Sequence, residues 1–169
     1  NDAKHRISGV EGQPEGQAQQ VREFSSGGIA GVWAEKNTRG AIYDAMLREH
    51  LANHRQMALV SGPRQVGKTT TCRKHADSSS NWDNIDDREL IVGGPARLAQ
   101  HIGLMQLRDQ LPVALFDELH KYPRWKQFLK GFFDSYADQL RVIVTGSSRL
   151  DTYRRVGDSL MGRYFLYHM

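Results

Sequence analysis

Short apolar runs alternate with stretches of helical periodicity along most of the chain. Three runs, at residues 56–61, 112–117 and 141–146, have the length and apolar character of buried parallel strands. A further strand is predicted at residues 163–169, and an edge strand with polar ends at residues 81–86.

Helices are predicted between these strands. Apolar residues at helical spacing favour helices over residues 41–54, 68–76 and 96–102, and a longer helix in whose first turn Pro123 would lie. Strands that alternate with helices predict an α/β fold, in which helices cover both faces of a parallel sheet. The longer helix carries a stripe of predicted core residues: Trp125, Phe128, Leu129, Phe132, Phe133 and Tyr136.

Residues 1–40 differ in composition from the rest of the chain. They contain seven of the 16 glycines, four glutamines and only two aromatic residues, and they sustain no apolar periodicity. Such a segment buries too little apolar surface to offset the chain entropy lost on folding. We therefore expect residues 1–40 to be a disordered or non-native leader and residues 41–169 to form one folded domain.

Composition narrows the class of protein. Hydrophobic residues make up 39% of the chain, and no apolar run approaches the roughly 18 residues that a membrane-spanning helix needs. A single cysteine, Cys72, excludes an internal disulfide and a multi-cysteine zinc site, and we expect it to be a packing residue. His50 and His54, one helical turn apart, are expected to be solvated. With no secretory signal, the chain is expected to be cytoplasmic and without a membrane partner.

A glycine-rich motif follows the first predicted strand. Residues 62–69 match the pattern G-x-x-x-x-G-K-[ST] between a strand and a helix, which is the setting of a phosphate-binding loop. Glycines let such a loop wrap a phosphate and point backbone N–H groups at it, and the helix N-terminus adds the positive end of its dipole. Lys68 is expected to contact the β- and γ-phosphates, and Thr69 to bind Mg²⁺ through its hydroxyl. The predicted ATP-binding residues are Gly62, Pro63, Arg64, Gln65, Val66, Gly67, Lys68, Thr69 and Thr70.

An acidic pair ends the strand predicted at residues 112–117. Asp117 stands where a Walker B aspartate reaches the magnesium shell, and Glu118 follows it directly. Adjacent side chains at a strand end diverge, so one can serve the metal while the other polarises an attacking water. We assign Asp117 to Mg²⁺ and Glu118 to general-base catalysis, an arrangement that favours an ATPase over a kinase.

Polar and basic residues after the strand at residues 141–146 are candidates to complete the site. Ser147, and second to it Thr145, is placed to sense the γ-phosphate, because this strand is expected beside the strand that precedes the glycine-rich loop. An arginine can neutralise transition-state charge, in its own subunit or in a neighbouring one. The candidates are Arg149, Arg154, Arg155 and Arg163.

Taken together, these motifs resemble the uncharacterised AAA-type P-loop ATPases of bacteria and archaea. The resemblance rests on residues 61–71, 116–126, 144–151 and 157–167. It implies a three-layer ATP-binding core with strand order 5-1-4-3-2, usually followed by a C-terminal domain of unknown function, which we expect to be missing here. By the same analogy Arg163 is the favoured arginine, and that C-terminal region would engage a partner protein or a second copy of the chain.

Three functions stay open at this point. The first is Mg²⁺-dependent ATP hydrolysis by an AAA-type core. The second is a nucleotide-binding switch without appreciable turnover, since the region that follows the core is expected to be missing. The third is a helicase-like, DNA-dependent ATPase, because residues 117–120 also read D-E-x-H, although a helicase normally needs a second motor domain. Nucleic-acid binding is thus possible but not predicted.

Overall fold

The protein folds around a five-stranded parallel sheet. The computed structural model describes residues 29–106, 109–147 and 159–169, with side chains from residue 40 onward. The strands are β1 (Met57–Ser61), β2 (Ser78–Asn81), β3 (Val113–Asp117), β4 (Arg141–Thr145) and β5 (Tyr164–His168). They lie in the order β2-β3-β4-β1-β5, and every neighbouring pair is parallel. The predicted α/β fold class and strand order are therefore confirmed.

Helices cover both faces of this sheet. They are α1 (Ile29–Asn53), α2 (Lys68–Arg73), α3 (Ile85–Val92), α4 (Pro95–Ile102) and α5 (Trp125–Tyr136), with a 3₁₀ turn at Leu119–Lys121. Alternate residues of β1 enter different apolar clusters: Met57 and Leu59 pack with residues of α3, α4 and α5, whereas Ala58 and Val60 pack with residues of α1 and α2. Because both faces of the central strands are buried, their sequences read as continuous apolar runs.

The aromatic stripe of α5 packs on the centre of the sheet. Phe116 of β3 meets the rings of Phe128 and Phe132 edge-on, with centroids 5.9 and 5.5 Å apart. The predicted core role of this stripe is confirmed at these positions. The helix begins at Trp125, however, so Pro123 precedes the helix instead of lying in its first turn.

The predicted edge strand at residues 81–86 is wrong. The strand β2 ends at Asn81, and α3, which the sequence pattern did not reveal, begins at Ile85. Asn84 ends the intervening turn, where its side-chain oxygen accepts hydrogen bonds from the backbone N–H groups of Asp86 and Asp87 at 2.8 and 3.2 Å. As an edge strand, β2 is held by backbone pairing with β3, so its serines carry no apolar pattern that would have located it.

The first helix is longer than predicted. It begins at Ile29 rather than at residue 41, so residues 29–40, predicted to belong to a disordered leader, are helical. Residues 1–28 lie outside the described residues, and the prediction for them stays a prediction. Within the described part of the chain, no helix is both long enough and apolar enough to cross a bilayer.

The prediction that His50 is solvated is also wrong. This residue of α1 is 1% exposed, and its Nε2 donates a hydrogen bond to the Gln56 carbonyl at 2.8 Å. The other ring nitrogen, Nδ1, therefore accepts from the Tyr167 hydroxyl at 2.8 Å, which ties α1 to β5. Burial lowers the pKa of His50 below its usual value, and nearby His54 lowers it further.

The expectation that Cys72 is a packing residue is confirmed. Its side chain is fully buried beside Leu47 and Val60, and burial raises the pKa of its thiol to about 12.

We expect truncation of Phe132 to cost stability. Phe132→Ala removes a fully buried ring between α5 and β3, and it should lower the free energy of unfolding by about 3–5 kcal/mol. Urea denaturation measures the change. Ile85→Ala, at a side chain that is 70% exposed, is the control and should cost less than about 1 kcal/mol. Equal losses in the two variants would contradict the assigned core.

Stability should also fall in mild acid because of His50. An unfolded histidine has a pKa near 6.5, and the folded pKa is lower, so below pH 6.5 the unfolded state binds the extra proton more readily. The stabilisation is complete above that pH and is lost as the pH falls, by at most about 1.4 kcal/mol per pH unit. The free energy of unfolding, measured by denaturation between about pH 7.5 and pH 5.5, should depend less steeply on pH in His50→Gln than in the parent. Parallel profiles would contradict this account.

Candidate nucleotide site

The loop between β1 and α2 has the backbone of a tight, glycine-dependent turn. Gly62 has φ of 145° and Gly67 has φ of 93°, values that side chains rarely tolerate. A Cβ atom at Gly62 would also collide with the carbonyl oxygen of Met169, because the end of β5 lies against the start of the loop. Both glycines of the motif are therefore required by the geometry of the loop itself.

Lys68 closes this loop from its own first helical turn. Its Nζ donates a hydrogen bond to the carbonyl oxygen of Gly62 at 2.9 Å and another to that of Pro63. The residue is 7% exposed, and this burial lowers the pKa of its ammonium, while Glu118 and Asp117 act in the opposite direction. The ammonium is thus held on the inner side of the loop, where Gly62 and Pro63 direct their carbonyl groups.

Asp117 is a buried carboxylate at the carboxyl end of β3. The Thr69 hydroxyl lies 3.0 and 3.1 Å from its two oxygens, and the Thr145 hydroxyl donates to one of them. Asp117 pairs with Thr145 in the register of β3 and β4, whereas Thr69 belongs to α2. The two residues predicted to bind Mg²⁺, Thr69 and Asp117, are therefore brought into contact.

Glu118 adopts a left-handed backbone conformation, with φ of 54°. Its N–H donates to the Thr145 carbonyl at 3.0 Å, and its Oε2 lies 3.2 Å from Nζ of Lys121 and 3.9 Å from Nε2 of His120. In the part of the chain that the structure describes, Gln65, with φ of 65°, is the one other non-glycine residue with a positive φ. Such conformations are energetically costly and tend to occur at functional sites.

Most of these groups line a cleft of about 420 Å³, whereas Gly62 and Asp117 are buried and do not line it. Predicted residues and two unpredicted ones, Asp83 and Lys121, line it together. Pro63 and Val66 belong to the loop but are exposed outside the cleft. The lining residues are Arg64, Gln65, Gly67, Lys68, Thr69, Thr70, Asp83, Glu118 and Lys121.

Sequence reasoning missed Asp83 and Lys121 for different reasons. Asp83 lies in the turn after β2, which was predicted to be strand. Lys121 stands three residues after Glu118, a spacing that brings side chains together on a helical turn. That spacing was a signal in the sequence that could have identified Lys121.

The two predicted sensors make different contacts. Ser147 lies just past β4, and its Oγ is 3.1 Å from Nε2 of His120. Thr145, the second choice, donates directly to Asp117 and is fully buried. Each therefore contacts a residue at or just after the carboxyl end of β3.

Arg163 does not reach the cleft. It immediately precedes β5, and its carbonyl accepts a hydrogen bond from Met57, the first residue of β1, at the opposite edge of the sheet from the loop. Its guanidinium binds both carboxylate oxygens of Asp134, at 2.7 and 3.1 Å. The structure therefore places Arg163 away from the cleft of its own chain, and a role in a neighbouring copy stays a prediction. Arg149, Arg154 and Arg155 lie outside the described residues.

Two family models match the chain. One, described as an AAA domain, matches residues 54–169, a range that contains every residue of the cleft. The other, described as a protein of unknown function (DUF3604), matches residues 1–65. No curated protein matches the chain. Among solved structures, that of C. elegans PCH-2 is similar over 79% of this chain, with 15% identity and a TM-score of 0.46, and the match spans 42% of that chain.

The hydrogen bond from Thr145 to Asp117 should make a measurable contribution to the free energy of unfolding. Thr145→Val keeps the shape of the side chain but removes a donor from a buried carboxylate, and it should lower the free energy of unfolding by about 1–3 kcal/mol. Thr145→Ser keeps the hydroxyl and should lose less. Urea denaturation compares the three proteins, and a serine variant no more stable than the valine variant would show that the hydroxyl contributes nothing.

Proposed function

The chain belongs to the AAA-domain family, and on this basis we propose that it binds ATP with Mg²⁺ and hydrolyses it in the cleft beside β1 and β3. One observation carries the proposal. Lys68, Thr69, Asp117 and Glu118, which come from separate parts of the sequence, converge at the carboxyl ends of two strands of one parallel sheet. Ligands of open α/β sheets bind outside the carboxyl ends of the strands.

Binding of the phosphates is assigned to the loop and Lys68. The glycine conformations let the backbone approach a phosphate closely, and the buried ammonium supplies the positive charge that a phosphate chain needs. Lys68 now donates to two loop carbonyls, so a phosphate entering the loop would replace weaker, neutral acceptors with charged oxygens.

The oxygen atoms of Thr69 and Asp117 are suitable ligands for Mg²⁺. This ion prefers oxygen ligands and is usually held by one or two protein groups, with waters and substrate phosphates completing an octahedron. A hydroxyl and a carboxylate in mutual contact supply such a pair. When bound, Mg²⁺ would neutralise charge on the phosphate oxygens and orient them.

Glu118 is proposed as the general base. Its carboxylate faces the cleft beside Lys68, whereas the neighbouring Asp117 is directed into the sheet edge by Thr69 and Thr145. The two adjacent acids thus have separate partners, which allows separate roles. Ser147, through His120, and Thr145, through Asp117, are proposed to transmit the state of the γ-phosphate.

A nucleotide-binding switch without appreciable turnover is the second candidate. One observation favours it: Oε2 of Glu118 lies 3.2 Å from Nζ of Lys121, so this oxygen would have to leave Lys121 before it could contact an attacking water. Measurement of binding and turnover on the same protein separates the two functions.

We expect the two substitutions Lys68→Ala and Glu118→Gln to impair different steps, ATP binding in the first and hydrolysis in the second. Loss of the ammonium should weaken ATP binding by on the order of 10- to 100-fold, since hydrogen bonds to charged groups contribute about 1.5–3 kcal/mol. Loss of the general base should leave binding nearly unchanged and slow turnover by on the order of 10²–10⁴-fold. Calorimetry with Mg·ATP and a phosphate-release assay measure the two steps.

Matched substitutions elsewhere provide the controls. Lys130→Ala and Glu89→Gln alter exposed residues outside the cleft and should change neither step. ATP binding by the parent without turnover would favour the switch. Absence of ATP binding by the parent would refute the proposed function as a whole.

A further inference from the structure

Lys121 is a second cation in the cleft that contains Lys68. It ends the 3₁₀ turn after β3, and its backbone N–H donates to the Glu118 carbonyl at 3.1 Å, so the turn itself holds Lys121 beside Glu118. Its side chain is one-third exposed and lines the same cleft as Lys68 and Thr69. No role has yet been assigned to it.

The Lys121 ammonium lies between two acidic residues, each of which follows the end of a different strand. Its Nζ is 2.5 Å from Oδ2 of Asp83, in the turn after β2, and 3.2 Å from Oε2 of Glu118, just after β3. The hydrogen bond that Lys121 donates to Asp83 raises the pKa of Lys121, with Glu118 contributing in the same direction. The ammonium is therefore charged and faces the cleft in the company of two carboxylates.

This arrangement is suited to exchange of partners. Ion pairs whose side chains are about a quarter to a half exposed are weak, because water screens them. A terminal phosphate carries more negative charge than a single carboxylate and offers several acceptor oxygens, so it competes well for an ammonium within reach. Entry of a polyanion next to Glu118 also creates a like-charge repulsion that a cation between them would relieve.

We propose that Lys121 is the residue by which the site distinguishes a nucleoside triphosphate from a diphosphate. With no terminal phosphate present, Lys121 stays on Asp83 and Glu118. When the triphosphate binds, the ammonium moves to the terminal phosphate and gives up its contact with Oε2 of Glu118. This inference rests on the proposed function, because it requires that the terminal phosphate of a nucleotide binds in the cleft.

The test compares the affinities for two nucleotides instead of turnover. The full 169-residue chain is titrated by calorimetry with the Mg²⁺ complexes of the β,γ-imido analogue of ATP and of ADP. Lys121→Met keeps the length of the side chain and removes its charge, and it should reduce the ratio of triphosphate to diphosphate affinity on the order of tenfold. Lys130→Met, an exposed lysine of α5, should leave the ratio unchanged.

Two further variants separate phosphate binding from a structural ion pair. Lys121→Arg keeps the charge and should restore part of the ratio. Asp83→Asn breaks the ion pair but frees the ammonium, so the ratio should be retained or increased. If Lys121 served only to join the two turns, Asp83→Asn and Lys121→Met would behave alike.

Several outcomes would overturn the proposal. They are an unchanged ratio in Lys121→Met, an equal loss of both affinities in that variant, and a reduced ratio in Asp83→Asn. If Lys121→Met does not fold, Lys121→Arg and Asp83→Asn still decide the question. Failure of the proposed function is a different result: the parent itself would then bind neither nucleotide, and the proposal for Lys121 would be refuted with it.

Discussion

The carboxylate of Asp117 is the group on which the geometry of the site depends. A buried carboxylate must be hydrogen-bonded or it destabilises the fold, and here the donors are the hydroxyls of Thr69 and Thr145. These three residues come from β3, from the helix after the glycine-rich loop and from β4. Satisfying one acidic group therefore aligns the loop with two strands of the sheet.

Backbone constraint accounts for the positions of the acidic pair. The left-handed conformation of Glu118 turns the chain sharply at the end of β3, and the Glu118 N–H remains bonded to the Thr145 carbonyl across the turn. The side chains of Asp117 and Glu118 consequently acquire different partners, hydroxyls for the first and Lys121 for the second. The hydrogen bond to β4 and the 3₁₀ turn that follows hold this energetically costly conformation in place.

Strands rich in apolar residues were predictable, and the serine-rich edge strand β2 was not. The strands β1, β3 and β4 have apolar residues on both sides, so composition alone revealed them. The edge strand β2 depends on backbone hydrogen bonds to β3, which any side chains permit. His50 was misjudged for a related reason, since its partners Gln56 and Tyr167 lie on other elements and only packing brings them together.

By itself, the sequence determined the fold class, the strand order that the family resemblance implied, and the presence of a glycine-rich loop beside an acidic strand end. These features depend on local periodicity and on contiguous motifs, which can be recognised without knowing which distant residues they contact. Three outcomes were decided by the tertiary structure alone. Thr145 donates a hydrogen bond to Asp117, and Lys121 forms an ion pair with Asp83 in the cleft. Arg163 lies at the edge of the sheet opposite the loop. Those outcomes depend on contacts between residues distant along the chain, and such contacts exist only once the strands have taken their places in the sheet.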